Sequence, residues 1–369
     1  MLVVIGGGLA GTSAAIRAAQ ADLSVMLIEA GTYPRHKVCG EFLSPEATEY
    51  LADLGVLPAI MARQPARLSR VRVTSAAGGD WAGELSGPGL GLSRHKLDQL
   101  LVDWARAVGV HVVTDEKVTG VTGSLKDGFE VSVRGDSIRA QAVIAAHGKR
   151  TALDRALQRP FMTQSQPYIG LKAHFRGVVR PDTVELHAFP GGYCGISAIE
   201  GGLINVCLLA RLEMFRRADS IPAFNQWMQG QNHHLRRFFA SAEQATPWLS
   251  ISQIPFNDAD KQPVENDILM AGDSAGMIAP LAGDGMSIAL HSGLLAADVV
   301  TRYLQGRINA DALKRHYTAV WRQHFAGRIW LGRWLQASMF KPPLLSVGLK
   351  LMNAAPALGR YFVNHTRAS

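Results

Sequence analysis

The chain has 369 residues, of which 47% are hydrophobic, 18% are charged and three are cysteines. This length and apolar fraction predict about two globular domains and exclude a disordered or fibrous protein. The net charge of +8 comes from the C-terminal end, because nine basic and no acidic residues follow Asp311, so a nucleic-acid-binding protein is disfavoured.

The cysteines indicate a reduced protein without a metal centre. Cys39, Cys194 and Cys207 are far apart and form no CxxC pair, which excludes a disulfide framework and a structural zinc site. Reduced thiols predict an intracellular, cytoplasmic location. No signal peptide is expected before the first strand, and Lys350 with other polar residues interrupts the late apolar stretch 344–363, so no membrane span is expected.

Short apolar strands alternate with helices in the first part of the chain. Strands are predicted at Leu2–Ile5 and 25–29 around an alanine-rich helix over 12–21, which makes a βαβ unit. A helix is predicted over 92–108 with Ser93 as its N-cap. Further buried strands are predicted at 110–113, 129–133 and 142–146.

The hydrophobic period then changes to that of an antiparallel sheet, with a hairpin-like pair of runs at 193–199 and 203–209. A buried strand at 267–271 and a helix from Met286 to about Leu304 follow. The sequence predicts an α/β fold with a discontinuous Rossmann-like domain, an antiparallel β-sheet substrate domain and a basic C-terminal helical segment. Their predicted bounds are 1–75, 92–155 and 263–310 for the first domain, 156–262 for the second and 311–369 for the helical segment.

The first turn carries a dinucleotide-binding motif. Residues 6–11 follow the pattern G-x-G-x-x-G between a strand and a helix. The glycines permit a tight turn, approach of backbone N–H groups to a pyrophosphate, and close packing of helix on strand, while the helix N-terminus favours the phosphate charge. Glu29 ends the next strand, where a carboxylate accepts ribose hydroxyls and repels a 2′-phosphate. The residues predicted to bind this FAD or NAD are Gly6, Gly8, Leu9, Ala10, Gly11 and Glu29.

A second glycine-rich segment, 272–276, is followed by 280–286 at the start of the long helix. With the first motif, it resembles the glutathione-reductase-type flavoproteins, in the branch of class A flavoprotein monooxygenases, flavin-dependent halogenases and geranylgeranyl reductases. The resemblance covers roughly residues 2–303 and implies FAD. A helix N-terminus would stabilise the negative charge that reduced flavin carries near N1. The implied contacts are Asp273 with the ribityl and pyrophosphate region, Gly283, Gly285 and Met286 at the flavin edge, Arg94 with the phosphates, and Val118 with adenine.

Two segments depart from these families. Class A hydroxylases usually have an Asp-Gly motif where this chain has His147-Gly148, so both NAD(P)H and a partner reductase stay open as electron donors. The loop 37–45 contains Cys39-Gly40-Glu41, which resembles loops near the flavin in reductases and halogenases. Cys39, Glu41 and His147 are the candidate catalytic residues, although a strand-end histidine is more often structural. Halogenation ranks below hydroxylation and reduction, because the Trp-x-Trp signature is missing and the catalytic lysine has no obvious match.

The basic C-terminal segment mixes aromatic residues such as Trp321 and Trp334 with arginines such as Arg322 and Arg333. A helical cap on the cofactor domain is the favoured interpretation, and peripheral contact with an anionic membrane is the alternative.

The predicted function is that of an FAD-dependent monooxygenase. It would use O2 to hydroxylate an electron-rich, lipophilic or aromatic small molecule through a flavin C4a-hydroperoxide. A carbon–carbon double-bond reductase of the geranylgeranyl-reductase type is the alternative. A non-catalytic carrier of lipidated partners, which shares the fold, is the alternative from another class.

Overall fold

The computed structural model describes residues 1–254 and 261–359. Its first sheet is formed by strands with unbroken apolar runs. Every pair in this sheet is parallel except β17 (Val264–Glu265) with β18 (Ile268–Met270). Strands of this kind are typical of parallel sheets that are covered on both faces. Within the described residues its order is β17 (Val264–Glu265), β18 (Ile268–Met270), β10 (Ala142–Ala145), β1 (Leu2–Ile5), β2 (Val25–Ile28) and β6 (His111–Val113).

Helix α1 (Leu9–Gln20) follows β1 and packs against α4 (Arg94–Ala107) and α9 (Gly285–Leu304). The close approach of α1 to α9 requires Gly293, because a Cβ there would overlap the backbone of Ala10. Ser93 caps α4 as predicted, since its side chain accepts the Lys96 N–H. The remaining elements of this part are α2 (Pro45–Asp53), α3 (Leu57–Met61), α5 (Ala152–Ala156) and a small antiparallel sheet of β7 (Val118–Ser124), β8 (Gly128–Val133) and β9 (Asp136–Ala140).

The second sheet is mainly antiparallel, as predicted for the middle of the chain. Helices α6 (Leu212–Arg216), α7 (Ile221–Gln231) and α8 (His233–Phe239) accompany it, and α7 and α8 bury Phe224, Leu235 and Phe238 against one face. In the described residues its order is β15 (Glu243–Gln244), β11 (Tyr168–Arg176), β14 (Ile204–Arg211), β13 (Gly192–Ala198), β12 (Thr183–Phe189), β4 (Ala66–Ser75), β5 (Asp80–Gly91) and β3 (Phe42–Leu43), with β16 (Leu249–Ser252) also paired to β11.

The predicted boundary of the first domain, at residue 75, falls at the end of β4, which lies in the second sheet. Strand β4 pairs in parallel with β12, and β4 and β5 form a hairpin, so both belong to the second sheet. The physical reason is visible in β4 itself, whose buried and exposed residues are mixed, unlike the fully buried strands β1 and β10. Such a strand suits a sheet with one partly solvated face.

The C-terminal segment forms α10 (Ala310–Met339) and α11 (Pro342–Ala354). Tyr317, Trp321, Phe325 and Ile329 lie one helical turn apart on α10 and are buried in the core that the parallel sheet shares with α1 and α9. The predicted helical cap is therefore confirmed. Among the residues with a described structure, no helix is long and apolar enough to cross a membrane. Arg360 and Arg367, two of the nine C-terminal bases, lie outside the described residues.

Candidate functional site

The two glycine-rich turns lie against each other. Gly6 has φ +98°, and a Cβ there would lie 2.5 Å from the carbonyl oxygen of Ala146. Gly272, in the turn after β18, has φ +61°, and its Cβ would lie 2.9 Å from the Cβ of Ala10. Both positions therefore need glycine, and the fold brings the start of α1 to the turn that contains Asp273.

Helix α1 begins with open backbone donors. Gly8 is its N-cap and makes no side-chain cap, while Leu9 and Ala10 are buried in its first turn. A Cβ on Gly8 would lie 3.6 Å from the Lys37 Nζ, whereas one on Gly11 would overlap the carbonyl oxygen of Gly6. Gly11 thus holds the turn tight, and Gly8 leaves a space in front of the helix N-terminus.

Glu29 closes this turn on the side of β2. Its carboxylate accepts the N–H of Gly7 at 2.7 Å and of Gly31 at 2.9 Å, and it pairs with Arg35. Burial by itself would raise the pKa of Glu29, but the hydrogen bond and charge of Arg35, with the charge of Lys37, lower it to about 2.

This pKa shift predicts an acid-sensitive contribution to folding. Because the pKa of Glu29 is depressed in the folded state, its stabilisation is complete above about pH 4.5 and is lost as the pH falls towards 2. Between about pH 4.5 and 2, the FAD-free wild-type protein should lose unfolding free energy. We expect this loss to be smaller in Glu29→Gln by on the order of 3 kcal/mol. Denaturant titrations at several pH values measure it. Glu49→Gln, at an exposed position, is the control, and a Glu29→Gln profile parallel to wild type would contradict the prediction.

Three cationic side chains lie around the same turn. Arg35 pairs with Glu29, and Arg94 donates from Nε and Nη2 to Asp98 at 2.5 and 2.9 Å. Burial, followed by the charge of Arg94, lowers the pKa of Lys37 to about 8. Lys37 and Arg35 were not predicted as site residues, because their only signal is an Arg-x-Lys spacing in a loop. An anion placed among these cations would relieve their mutual repulsion.

The distal segment forms the other end of the site. Asp273 is half-buried in a single 3-10 turn, Gly272–Ser274. Its backbone carbonyl oxygen accepts a hydrogen bond from Lys261 Nζ at 2.7 Å. Gly283 has φ +67°, and Gly285 and Met286 begin α9 without a side-chain cap.

Asp284 also belongs to this end, whereas Val118, the predicted adenine contact, lies in a different sheet. Asp284, the buried N-cap of α9, pairs with Arg328 of α10, so the C-terminal helix reaches the site. Val118 is buried at the start of β7, in the small sheet beside the parallel one.

A cavity of about 190 Å³ lies between this segment and the second sheet. It is bordered by Cys39 and Gly40 on one side and Gly283 on the other, so the loop and the flavin-edge segment predicted from the sequence do meet. The other lining residues are mainly apolar: Val38, Phe42, Val71, Leu85, Lys149, Gly170, Val184, Leu186, Tyr193, Gly195, Ile196, Ser197, Cys207, Leu208, Leu209, Ile254, Pro280 and Leu281.

Glu41 holds the Cys39 loop through buried contacts and does not line this cavity. It is fully buried with φ +54°, and its carboxylate accepts Lys172 Nζ at 2.7 Å, His174 Nε2 at 2.6 Å and the Arg94 N–H at 2.8 Å. Burial would raise the pKa of Glu41, but His174 and Lys172 outweigh it and lower the pKa below its ordinary value. The Glu41 N–H also approaches Cys39 Sγ at 3.4 Å, which ties the thiol to this network.

His147 is held in a structural network. Its Nε2 lies 2.9 Å from Asp154, which also accepts Arg159 at 2.8 Å, and the histidine is not among the cavity-lining residues. The structure therefore brings Cys39, but not Glu41 or His147, to the cavity.

Comparison with known proteins identifies the family. A family model described as an FAD binding domain matches residues 1–324. The chain belongs to this FAD-binding family. It is 27% identical over 326 residues to menaquinone reductase from Mycobacterium tuberculosis, which covers 81% of this chain and 76% of that protein. It is 26% identical over 341 residues to digeranylgeranylglycerophospholipid reductase 2 from Methanopyrus kandleri, with 88% and 82% covered.

A solved structure agrees on the fold. The flavin-dependent brominase Bmp2 superposes with a TM-score of 0.82 at 20% identity, over 98% of this chain and 92% of that one. The protein is thus an FAD-dependent oxidoreductase of α/β fold, and the non-catalytic carrier is set aside.

The described residues fit FAD. The uncapped start of α1, the space in front of Gly8 and the cations of Arg35 and Lys37 suit a pyrophosphate, which carries negative charge and approaches backbone closely. The uncapped start of α9 follows Gly283, which lines the cavity, and suits the polar edge of a flavin.

Proposed function

We propose that this protein is an FAD-dependent reductase that saturates an isoprenoid-type carbon–carbon double bond in a lipophilic substrate. The curated relatives named above are reductases of a quinone and of an isoprenoid lipid, and each matches most of this chain. Reduction therefore takes precedence over the hydroxylation predicted from the sequence.

The observation that carries the proposal is a thiol at the edge of an apolar cavity. Saturating a double bond adds a hydride to one carbon and a proton to the other, so a proton donor must stand where the substrate lies. When bound and reduced, FAD supplies the hydride. We assign the proton to Cys39, which is half-buried on the cavity next to Gly40, and water restores the proton to its thiolate.

We propose that FAD is held by the residues that the two glycine-rich turns bring together. The N-terminus of α1 and Lys37 would bind the pyrophosphate. Glu29 would release Arg35 and accept hydrogen bonds from the ribose hydroxyls, and the start of α9 would face the flavin edge. The full set is Gly6, Gly8, Leu9, Ala10, Gly11, Glu29, Arg94, Val118, Asp273, Gly283, Gly285 and Met286. Because Arg94 donates two hydrogen bonds to Asp98, it would act on the FAD phosphates through its charge and not through a bidentate hydrogen bond.

Tyr193 would bind an oxygen atom of the substrate. Its hydroxyl is buried on the cavity and has no hydrogen-bond partner among the described residues. Burial raises the pKa of Tyr193 well above its ordinary value, so the hydroxyl keeps its proton and acts as a donor. A carbonyl or ether oxygen would satisfy this donor, whereas a pure hydrocarbon would leave it unpaired.

An anaerobic turnover experiment tests the reaction. The FAD-loaded enzyme is reduced with dithionite, so the result is independent of whether NAD(P)H or a partner reductase supplies electrons. It is then mixed without O2 with menaquinone or a geranylgeranyl lipid, and the product is analysed by mass spectrometry. A gain of two hydrogen atoms in the isoprenoid chain, located by fragmentation, supports reduction, because dithionite alone adds two hydrogen atoms to the quinone ring. A product that gains one oxygen atom, and forms only when O2 is admitted, would instead establish the monooxygenase, which the dry apolar cavity also suits.

Replacing Cys39 tests the proton donor. We expect Cys39→Ala to slow anaerobic reoxidation of the enzyme by substrate by about 100-fold or more, the usual contribution of a general acid, without changing FAD affinity. Cys207→Ala is the matched control, because Cys207 lines the same cavity but burial raises its pKa to about 12. Stopped-flow flavin absorbance measures both rates. Equal rates for the two variants would rule out Cys39 as the donor.

A further inference from the structure

Helices α10 and α11 expose a row of large apolar side chains. Trp330 and Trp334 are one turn apart on α10, and Leu344, Val347 and Leu351 have helical spacing on α11. Each is more than half exposed. We call these five residues the C-terminal apolar surface. Because Tyr317, Trp321 and Phe325 bury the opposite face of α10, packing among residues 1–254 and 261–359 does not account for this row.

The charges within the C-terminal segment that carries this surface have one sign. Residues 312–359 include seven lysines and arginines and no aspartate or glutamate. Arg328 and Lys314 are paired with Asp284 and Asp267. Lys341 and Lys350 are exposed at the two ends of the apolar face of α11. Exposed tryptophans and leucines beside lysines are the composition of a surface that enters the interface of an anionic bilayer.

The same segment packs against side chains that line the cavity. Met339, Phe340 and Leu345 pack in one cluster with Tyr193, Leu209 and Leu281. The last three residues also line the cavity. The helices that carry the C-terminal apolar surface are therefore connected to the cavity lining through one cluster of packed side chains.

We propose that the C-terminal apolar surface docks this protein on an anionic lipid bilayer. The tryptophans and the apolar face of α11 enter the acyl boundary, and Lys341 and Lys350 contact lipid phosphates. Docking there places the cavity next to the membrane, where a lipophilic substrate is dissolved. The docking itself does not depend on the proposed reduction, since a lipophilic substrate of either reaction would arrive by this path.

Vesicle co-sedimentation of the FAD-loaded full chain tests the proposal without substrate or reductant, so its outcome is separate from that of the turnover experiment. We expect vesicles of phosphatidylcholine with phosphatidylglycerol to bind the protein at least about tenfold more tightly than phosphatidylcholine alone. Lys341→Glu with Lys350→Glu should remove most of that preference, at about fivefold per lysine. Trp330→Ser with Trp334→Ser should weaken binding to both vesicle types by about tenfold or more.

Matched variants on other faces control for general charge and apolarity. Val178→Ser removes another exposed apolar side chain, and Lys117→Glu with Lys126→Glu reverses two exposed lysines far from α11 in sequence. Both should bind like wild type, and retained FAD absorbance shows that each variant is folded. Equal binding to the two vesicle types, or unchanged binding by the surface variants, overturns the proposal. So does a dimer that the tryptophan variant abolishes, or capture of an acidic protein without vesicle binding.

Discussion

A valine at position 8 is expected to produce a folded, colourless protein. Among the described residues, the Lys37 ammonium, at 3.6 Å, is the only group within 4 Å of a Cβ at Gly8. The Gly8 backbone is also extended, so valine fits without strain. Its methyl groups would occupy the space that the FAD pyrophosphate needs at the start of α1. We expect the FAD dissociation constant to rise by about 100-fold or more, the equivalent of losing one or two hydrogen bonds to a charged group.

FAD affinity by isothermal titration and thermal unfolding of the FAD-free protein separate binding from folding. Gly230→Val introduces the same side chain on α7, where a Cβ would also meet open space, and should keep wild-type FAD affinity. Gly11→Ala gives a contrasting result, because its Cβ overlaps the Gly6 carbonyl and should lower stability and FAD affinity together. Stoichiometric FAD in purified Gly8→Val would place the pyrophosphate elsewhere.

The local parts of this site could be predicted from the sequence because their signals are local. The spacing of Gly6, Gly8 and Gly11 between a buried strand and an alanine-rich helix determines the turn almost by itself, and the structure has it there. The same holds for Ser93 and for the start of α9. That the two glycine-rich turns bind one FAD followed from a family resemblance and stays a prediction, while the structure places Gly272 beside Ala10.

The remaining parts depend on contacts between residues that are distant in sequence. Nothing near Glu41 indicates that Lys172 and His174 of β11 would bond to it, and nothing near Arg328 indicates Asp284. The sheet that β4 joins is likewise not evident from its own residues, since its partner β12 lies more than a hundred residues later. Loop cations such as Lys37 carry no periodic pattern, so only the folded loop shows where they point.

The buried network under the Cys39 loop should give the largest effect on stability. Glu41, Lys172 and His174 are all at most 1% exposed, so Glu41→Leu would leave a lysine ammonium and an imidazole without their carboxylate. Removing one partner of a buried ion pair costs about 3 to 5 kcal/mol, and we expect a loss of that size in the unfolding free energy. Denaturant titration of the FAD-free protein measures it.

The double variant Glu41→Leu with Lys172→Met decides whether the unpaired charge is the cause. Replacing both partners with apolar side chains of similar size removes the buried charge, so the double variant should be more stable than Glu41→Leu alone. Cys39 gives a local readout, because the Glu41 N–H approaches its Sγ, and a loosened loop should react faster with a thiol reagent in the single variant. If the effects of the two substitutions on the unfolding free energy are additive, an unpaired buried charge does not explain the loss of stability. Glu41 then acts through packing instead. The positive φ of Glu41 would then be the feature to test, with Glu41→Gly as the variant that relieves it.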